Sequence, residues 1–335
     1  MGPMSTFNTN YLRRVHFVPR SSDRHARRVW ERLKKSLRTR HGLMAFGVVL
    51  LVARPGVCAS DVREATDRRA AEFLSENGEL LPADWRAQTG VMTFLVVHGF
   101  RDTGTSEESL RQARAIRQRF ERDNVVIVSW RVPNCPDPAA SRKGDSFFGH
   151  MWQLASDYAQ AVDIARRVGR EIGDWMNEKQ ISPESTVISG HSLGAQIAAF
   201  ASNACALPEL FGAPVRAILA ADPAGPLFEG RLPAERLDPS DAQEVIVVHT
   251  TDMLGVKSAV GTVDTYVSWP ASKNPDTIAR HSFARELVTD SFLAQGLAHS
   301  DGTPFGANAV GVRFPDQNPK TYRAGGAANN AIAAQ

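Results

Sequence analysis

Apolar and polar positions follow two different periods along this 335-residue chain. Between about residues 91 and 250, short apolar runs alternate with stretches whose apolar residues recur at helical spacing. Val91–Val97, Val125–Trp130, Ser185–Ser189, Val215–Ala220 and Glu244–His249 read as strands, each too continuously apolar to leave one face in water. Ser106–Asp123 opens on Ser-Glu-Glu, an N-terminal helix signal, and continues as a charged amphipathic helix. Met151–Asn177 places Leu154, Tyr158, Ala161, Ile164 and Val168 at helical spacing. Strands separated by helices predict an α/β fold, a mostly parallel central sheet with helices on both faces. Asn134–Gly149, rich in Pro, Ser and Gly, reads as a loop.

The flanks read differently. Residues 60–90 look like a polar lead-in, helical over Asp61–Leu74 by amphipathic spacing and stopped at Pro82. From 301 to 335 the chain turns to Gly, Ala, Asn and Pro, which predicts a low-complexity tail, disordered over Ala324–Gln335. The main domain is therefore expected over 91–300.

Charge changes the picture at the N-terminus. The whole chain carries +3, yet residues 1–59 hold twelve Arg or Lys against only Asp23 and Glu31, so the remainder carries −7. A basic pI therefore says little about the folded part, and nucleic-acid binding loses its electrostatic support. Within the basic segment, Gly42–Ala53 is an apolar run of signal-peptide length, too short for a comfortable membrane span. Arg54-Pro55-Gly56 breaks it, and Val57-Cys58-Ala59 offers small residues for cleavage after Ala59. Residues 1–59 thus read as a signal peptide with a long basic lead, implying a secreted or periplasmic protein; membrane anchoring by an uncleaved N-terminus is the alternative. Cleavage would leave Cys135 and Cys205, too few for a disulfide scaffold and without a metal-binding spacing.

The chemistry concentrates at Gly190-His191-Ser192-Leu193-Gly194. An apolar strand leads into it and Leu193–Ala201, rich in small residues, leaves it as a helix. That strand–turn–helix context makes it a nucleophile elbow, in which a sharp turn exposes the serine above the sheet at the positive end of a helix. A serine hydroxyl needs a base, and the base needs a carboxylate to fix its tautomer. Asp222 follows the Val215–Ala220 strand and Pro223 stops further pairing, the placement such an acid requires; Asp238, Asp241 and Asp252 compete. His281 is the expected base, in a loop that leans back to the serine, whereas His249 reads as structural and His299 as solvated. Two N–H donors should hold a developing oxyanion: Leu193, directly after the nucleophile, and Phe100, in the Val97-His98-Gly99-Phe100 turn.

Five segments in order, VVHGF, ISGHSLGA, ADPAGPLF, RLDPSDAQEVIVVHTTD and HSFARELVTDSF, resemble the pancreatic-lipase family between about Val91 and Phe292. The resemblance implies an α/β-hydrolase fold with Ser192, Asp222 and His281 as triad and Phe100 and Leu193 as oxyanion donors. Lipase, phospholipase A1 or esterase activity on lipid-like esters is implied, with transient contact at lipid surfaces and no required cofactor. Inactive lipid-binding members of the family supply the alternative. The family's structural calcium would fall on the Arg236 carbonyl and the Asp238 and Asp241 carboxylates; clustered oxygens suit a hard cation, and a turn capped by Asp side chains explains the same residues. Three departures mark this chain. Ala279 and Arg280 stand where the family has a lid cysteine, and Trp269–His281 is too short for a large lid. Tyr266–Pro270 replaces the family's Gly-rich turn. No β-sandwich domain follows in this sequence, so a colipase-type partner is not expected.

Overall fold

The computed structural model describes residues 69–132, 147–269, 275–294, 297–299, 301–311 and 320–323. The signal-peptide and cleavage readings, Cys135 and most of the Asn134–Gly149 loop lie outside them. Its sheet comprises β1 (Ala71–Leu74), β2 (Thr93–Val97), β3 (Asn124–Trp130), β4 (Thr186–His191), β5 (Val215–Ala221), β6 (Ala242–His249), β7 (Val263–Ser268) and β8 (Lys320–Arg323). Among the described residues four α-helices accompany it: α1 (Glu107–Arg119), α2 (Phe147–Glu178), α3 (Leu193–Cys205) and α4 (Thr277–Leu293).

Strand order is β1-β3-β2-β4-β5-β6-β7-β8. Only β1 runs antiparallel to its neighbour; every other pairing is parallel. This is the α/β-hydrolase fold. Successive residues of β2 feed opposite sides of the sheet: Leu95 and Val97 join the core under α2 and α3, while Phe94 and Val96 join the core under α1 and α4. Both faces are dry, which is why these strands read as unbroken apolar runs. The chain order reverses between β2 and β4, with β3 on one side of β2 and β4 on the other. At such a switch point the crevice beyond the strands' carboxyl ends is the usual ligand position. Val97 pairs with Gly190 there, so the segments after β2 and β4 emerge side by side.

The structure corrects the flanks. Ala71–Leu74 is a strand, not helix: β3 offers an open edge, and Phe73 stacks on Trp175 of α2 with ring centroids 4.0 Å apart. Glu171 Oε2 accepts the Ala70 and Ala71 N–H groups at 2.7 and 2.9 Å, tying this strand to α2. At the other end Lys320–Arg323 extends the sheet beside β7, and Gly306–Ala309 forms a 3-10 turn behind the buried Phe305. The fold therefore draws on residues beyond both limits of the expected 91–300 domain. Helix α2 begins at Phe147, inside the expected loop, and β7 and α4 add two elements. Cys205 is a buried free thiol whose Sγ lies 3.8 Å from Met176 Sδ, and burial pushes its pKa up to about 12. Among the described residues no helix is long and apolar enough to cross a membrane.

Candidate active site

Ser192 sits between β4 and α3 with φ 55° and ψ −121°, a region L-residues rarely occupy. Its neighbours leave no slack. A methyl on Gly190 would meet Gly194 O at 2.5 Å and Ala195 N at 2.6 Å, and one on Gly194 would collide with the carbonyls of Val97 and His98. The Gly-x-Ser-x-Gly spacing is thus a packing requirement: strand, turn and helix touch backbone to backbone. The strained turn is held by Ser192 N–H donating to Ala221 O at 2.9 Å and by Ala195 and Ala224 N–H donating to Ser192 O, each at 3.1 Å.

Asp222, directly after β5, is fully buried and has φ 43°. Its Oδ1 accepts the N–H groups of Thr250 at 2.7 Å and Thr251 at 3.2 Å, and its Oδ2 accepts the Thr251 hydroxyl at 2.7 Å. The same Oδ2 stands 2.6 Å from His281 Nδ1. A buried carboxylate held by this many donors has its Oδ2 aimed at the imidazole and fixes its orientation, with the Nδ1 proton toward Asp222. The contact forms as expected, but His281 lies on α4 rather than in a loop. Asp276 caps that helix by accepting Ala279 N–H at 2.8 Å, and His281 O lies 3.1 Å from His191 Nε2. His191 therefore braces the backbone of His281. Burial, then the neighbouring His281, hold His191 well below the ordinary histidine range.

The turn after β2 lies against Ser192: a methyl on Gly99 would come within 3.2 Å of Ser192 Cβ. Phe100 follows, its ring edge-on to Tyr158 at 5.3 Å. Leu193 is the first residue of α3, where N–H groups have no intrahelical acceptor. Among the described residues, neither the Phe100 nor the Leu193 N–H has an acceptor, and no hydrogen bond joins Ser192 Oγ to the His281 ring. Catalytic hydrogen bonds of this kind are often long without substrate and tighten when it binds.

The competing acids are used elsewhere. Asp238 Oδ1 accepts the Ser240 N–H at 2.8 Å and hydroxyl at 2.7 Å; Asp241 accepts Asp238 N–H and Asn203 Nδ2, both at 2.7 Å. The Arg236 guanidinium is occupied by the carbonyls of Arg231 and Leu237. These residues stand together, but as a self-satisfied turn whose carboxylates already cap its N–H groups, which fits an Asp-capped turn better than a cation cage. Asp252 is exposed. His249 is structural as expected, bonded to Asp264 Oδ1 at 2.8 Å and to Val256 O, and stacked on Tyr266. His299 corrects the expectation of solvation: it is buried against Thr265 Oγ1 at 2.7 Å.

A family model described as Lipase matches residues 150–278, a span that holds the elbow, Asp222 and the Asp238–Asp241 turn. Over this span the chain resembles lipases and phospholipases A1. It is 34% identical over 178 residues to lipase member H of Rattus norvegicus, covering 52% of this chain and 34% of that protein. Phospholipase A1 of Polybia paulista is 32% identical over 178 residues, covering 51% of this chain and 50% of that one. Probable phospholipase A1 magnifin of Vespa magnifica is 30% identical over 207 residues, covering 58% and 57%. The chain thus spans between about a third and three-fifths of the length of these relatives.

Sequence reasoning missed the residues that position the site. Thr250 and Thr251 clamp Asp222, and the Thr-Thr pair directly after an apolar strand was the available signal. Gln196 of α3 joins the elbow to the acid side, donating to Ala224 O at 2.9 Å and accepting Leu237 N–H at 2.7 Å. A buried glutamine in an otherwise small-residue helix was its signature.

Proposed function

We propose that this chain is an exported serine carboxylic-ester hydrolase of lipid or lipid-like esters, working through an acyl-enzyme. The observation that carries the reading is the 2.6 Å contact of His281 Nδ1 with the buried, threonine-clamped Asp222, set beside a strained Ser192 at the sheet's switch point. His281 Nε2 removes the Ser192 proton as Oγ attacks the acyl carbonyl, and Asp222 stabilises the imidazolium. The N–H groups of Leu193 and Phe100 receive the negative charge that develops on the carbonyl oxygen, from the N-terminus of α3 and from the Gly99 turn. Collapse of the tetrahedral intermediate breaks the ester C–O bond, and His281 returns the proton to the leaving alcohol. Water then attacks the acyl-enzyme by the same steps, releasing a carboxylic acid and restoring Ser192.

Relatives named lipase and phospholipase A1 support a lipid ester as substrate. The short Trp269–His281 connection favours an open site of the phospholipase or esterase kind. Neither a cofactor nor a metal enters these steps. Export rests on the basic, apolar N-terminal segment.

The test compares the full chain with Ser192→Ala on p-nitrophenyl esters from acetate to palmitate, alongside fluorophosphonate labelling. Turnover and labelling should both disappear with Ser192, and loss of Ser192 or His281 should cost on the order of 10⁴ in kcat. Folded wild-type protein that neither turns over nor labels would make this chain an inactive lipid-binding member of the family.

A further inference from the structure

Arg285 lies one helical turn beyond His281 on α4, so the two side chains share a face. Its Nη1 is 2.6 Å from Asp102 Oδ2, and its Nη2 is 3.6 Å from Glu108 Oε1 at the start of α1. The pair is nearly dry, with side-chain exposures of 12% for Arg285 and 20% for Asp102, and Arg285 Nε is buried with no hydrogen-bond partner among the described residues. An ion pair with that little water is held firmly in place, unlike a surface pair.

Asp102 ends the turn that carries Phe100. Its N–H donates to Gly99 O at 3.3 Å, its Oδ1 accepts Thr103 N–H at 2.8 Å, and Arg101 between them adopts φ 61°. Gly99 at the other end of this turn abuts Ser192. The Phe100 N–H therefore hangs between two fixed points: the nucleophile on one side and, through Asp102, the helix of the base on the other.

The geometry points to Arg285 and Asp102 as positioning residues that lock the Phe100 turn to the helix bearing His281, setting oxyanion donor and base in one rigid frame. This rests on the hydrolase reading above. A turn fixed only at Gly99 would let the Phe100 N–H drift, and displacements near 1 Å can cost about a hundredfold in rate. The pair lies outside the elbow and the triad, and acts on the reaction through the backbone of the Phe100 turn. Burial lowers the pKa values of His191 and His98, and the Arg285 charge is a smaller contribution in the same direction.

The test is a double-mutant cycle on the full chain with Arg285→Met, Asp102→Asn and both together, with Arg285→Lys as the conservative variant. Two readouts are taken: kcat and KM on a soluble p-nitrophenyl ester, and amide hydrogen exchange of residues 98–104. A positioning role predicts that each single variant loses about ten- to a hundredfold in kcat with KM within about twofold. The double variant should be no worse than the singles, Arg285→Lys should recover most of the loss, and exchange at 98–104 should rise in each Met or Asn variant. Unchanged exchange at 98–104, or kcat losses that multiply in the double variant and follow the melting temperature, would overturn it. Should the wild type neither label nor turn over, the hydrolase reading fails, while the exchange comparison still decides whether the pair fixes the turn.

Discussion

Thr251 grips Asp222 at both of its oxygens: the hydroxyl donates to Oδ2 at 2.7 Å and the N–H to Oδ1 at 3.2 Å. Oδ2 is the oxygen that also faces His281, so the hydroxyl governs the direction of the acid's remaining lone pairs. Thr251→Val should lower kcat by about ten- to a hundredfold, since hydrogen bonds to charged groups contribute about 1.5–3 kcal/mol. KM should hold nearly constant, and Thr251→Ser should restore the rate. Steady-state kinetics on a soluble ester reads all three outcomes.

Asp222→Asn probes the tautomer rather than the charge alone. An amide can present its NH₂ to Nδ1 and so turn the imidazole's proton to the wrong nitrogen. The expected loss is about 10⁴ in kcat with the fold intact, measured by burst kinetics and circular dichroism.

Gly190→Ala tests the elbow as packing. The added methyl would fall 2.5 Å from a backbone carbonyl oxygen, and neither β4 nor α3 can withdraw because each is buried. Destabilisation of at least about 2 kcal/mol is expected, read as a lowered urea midpoint with an unchanged slope.

Asp241 supplies a pH test. Burial pushes its carboxyl up to about 7, so between about pH 4 and 7 the folded chain keeps a proton that the unfolded chain has released. Its contribution to stability is full below that window and is lost as pH rises through it. Asp241→Asn, with the Asn203 amide turned to suit, should flatten this slope in denaturant midpoints taken across the window. Calcium or a chelator at pH 6 should leave the melting temperature unmoved; a calcium-dependent rise would give the turn to the cation.

How far the sequence could be read follows from what each residue's position depends on. The five central strands were legible because a sheet covered on both faces demands unbroken apolar runs. The Asp222–His281 contact was legible because a strand-ending acid and a following histidine occur in a fixed order after an elbow. The edge strands β1 and β8 were not: four residues each, they become strands only because β3 and β7 present open edges. Helix α4 was missed because its apolar residues, from the exposed Ile278 to the buried Phe292, spread around the axis instead of forming one stripe. The clamps on the site were illegible for a related reason. Thr251 lies 29 residues from Asp222 and Arg285 lies 183 from Asp102, so those contacts exist only once the sheet has assembled.

The dihedral angles of Ser192 also weigh on heat resistance. A residue held at φ 55° and ψ −121° carries strain of about 1–3 kcal/mol that glycine would not feel. Selection for thermal endurance alone would thus find an easy gain in replacing Ser192 with glycine, at the expense of the chemistry proposed for its hydroxyl. Any hardier version that keeps working must gain its stability elsewhere, in the two cores that clamp β4 and α3 from outside the turn.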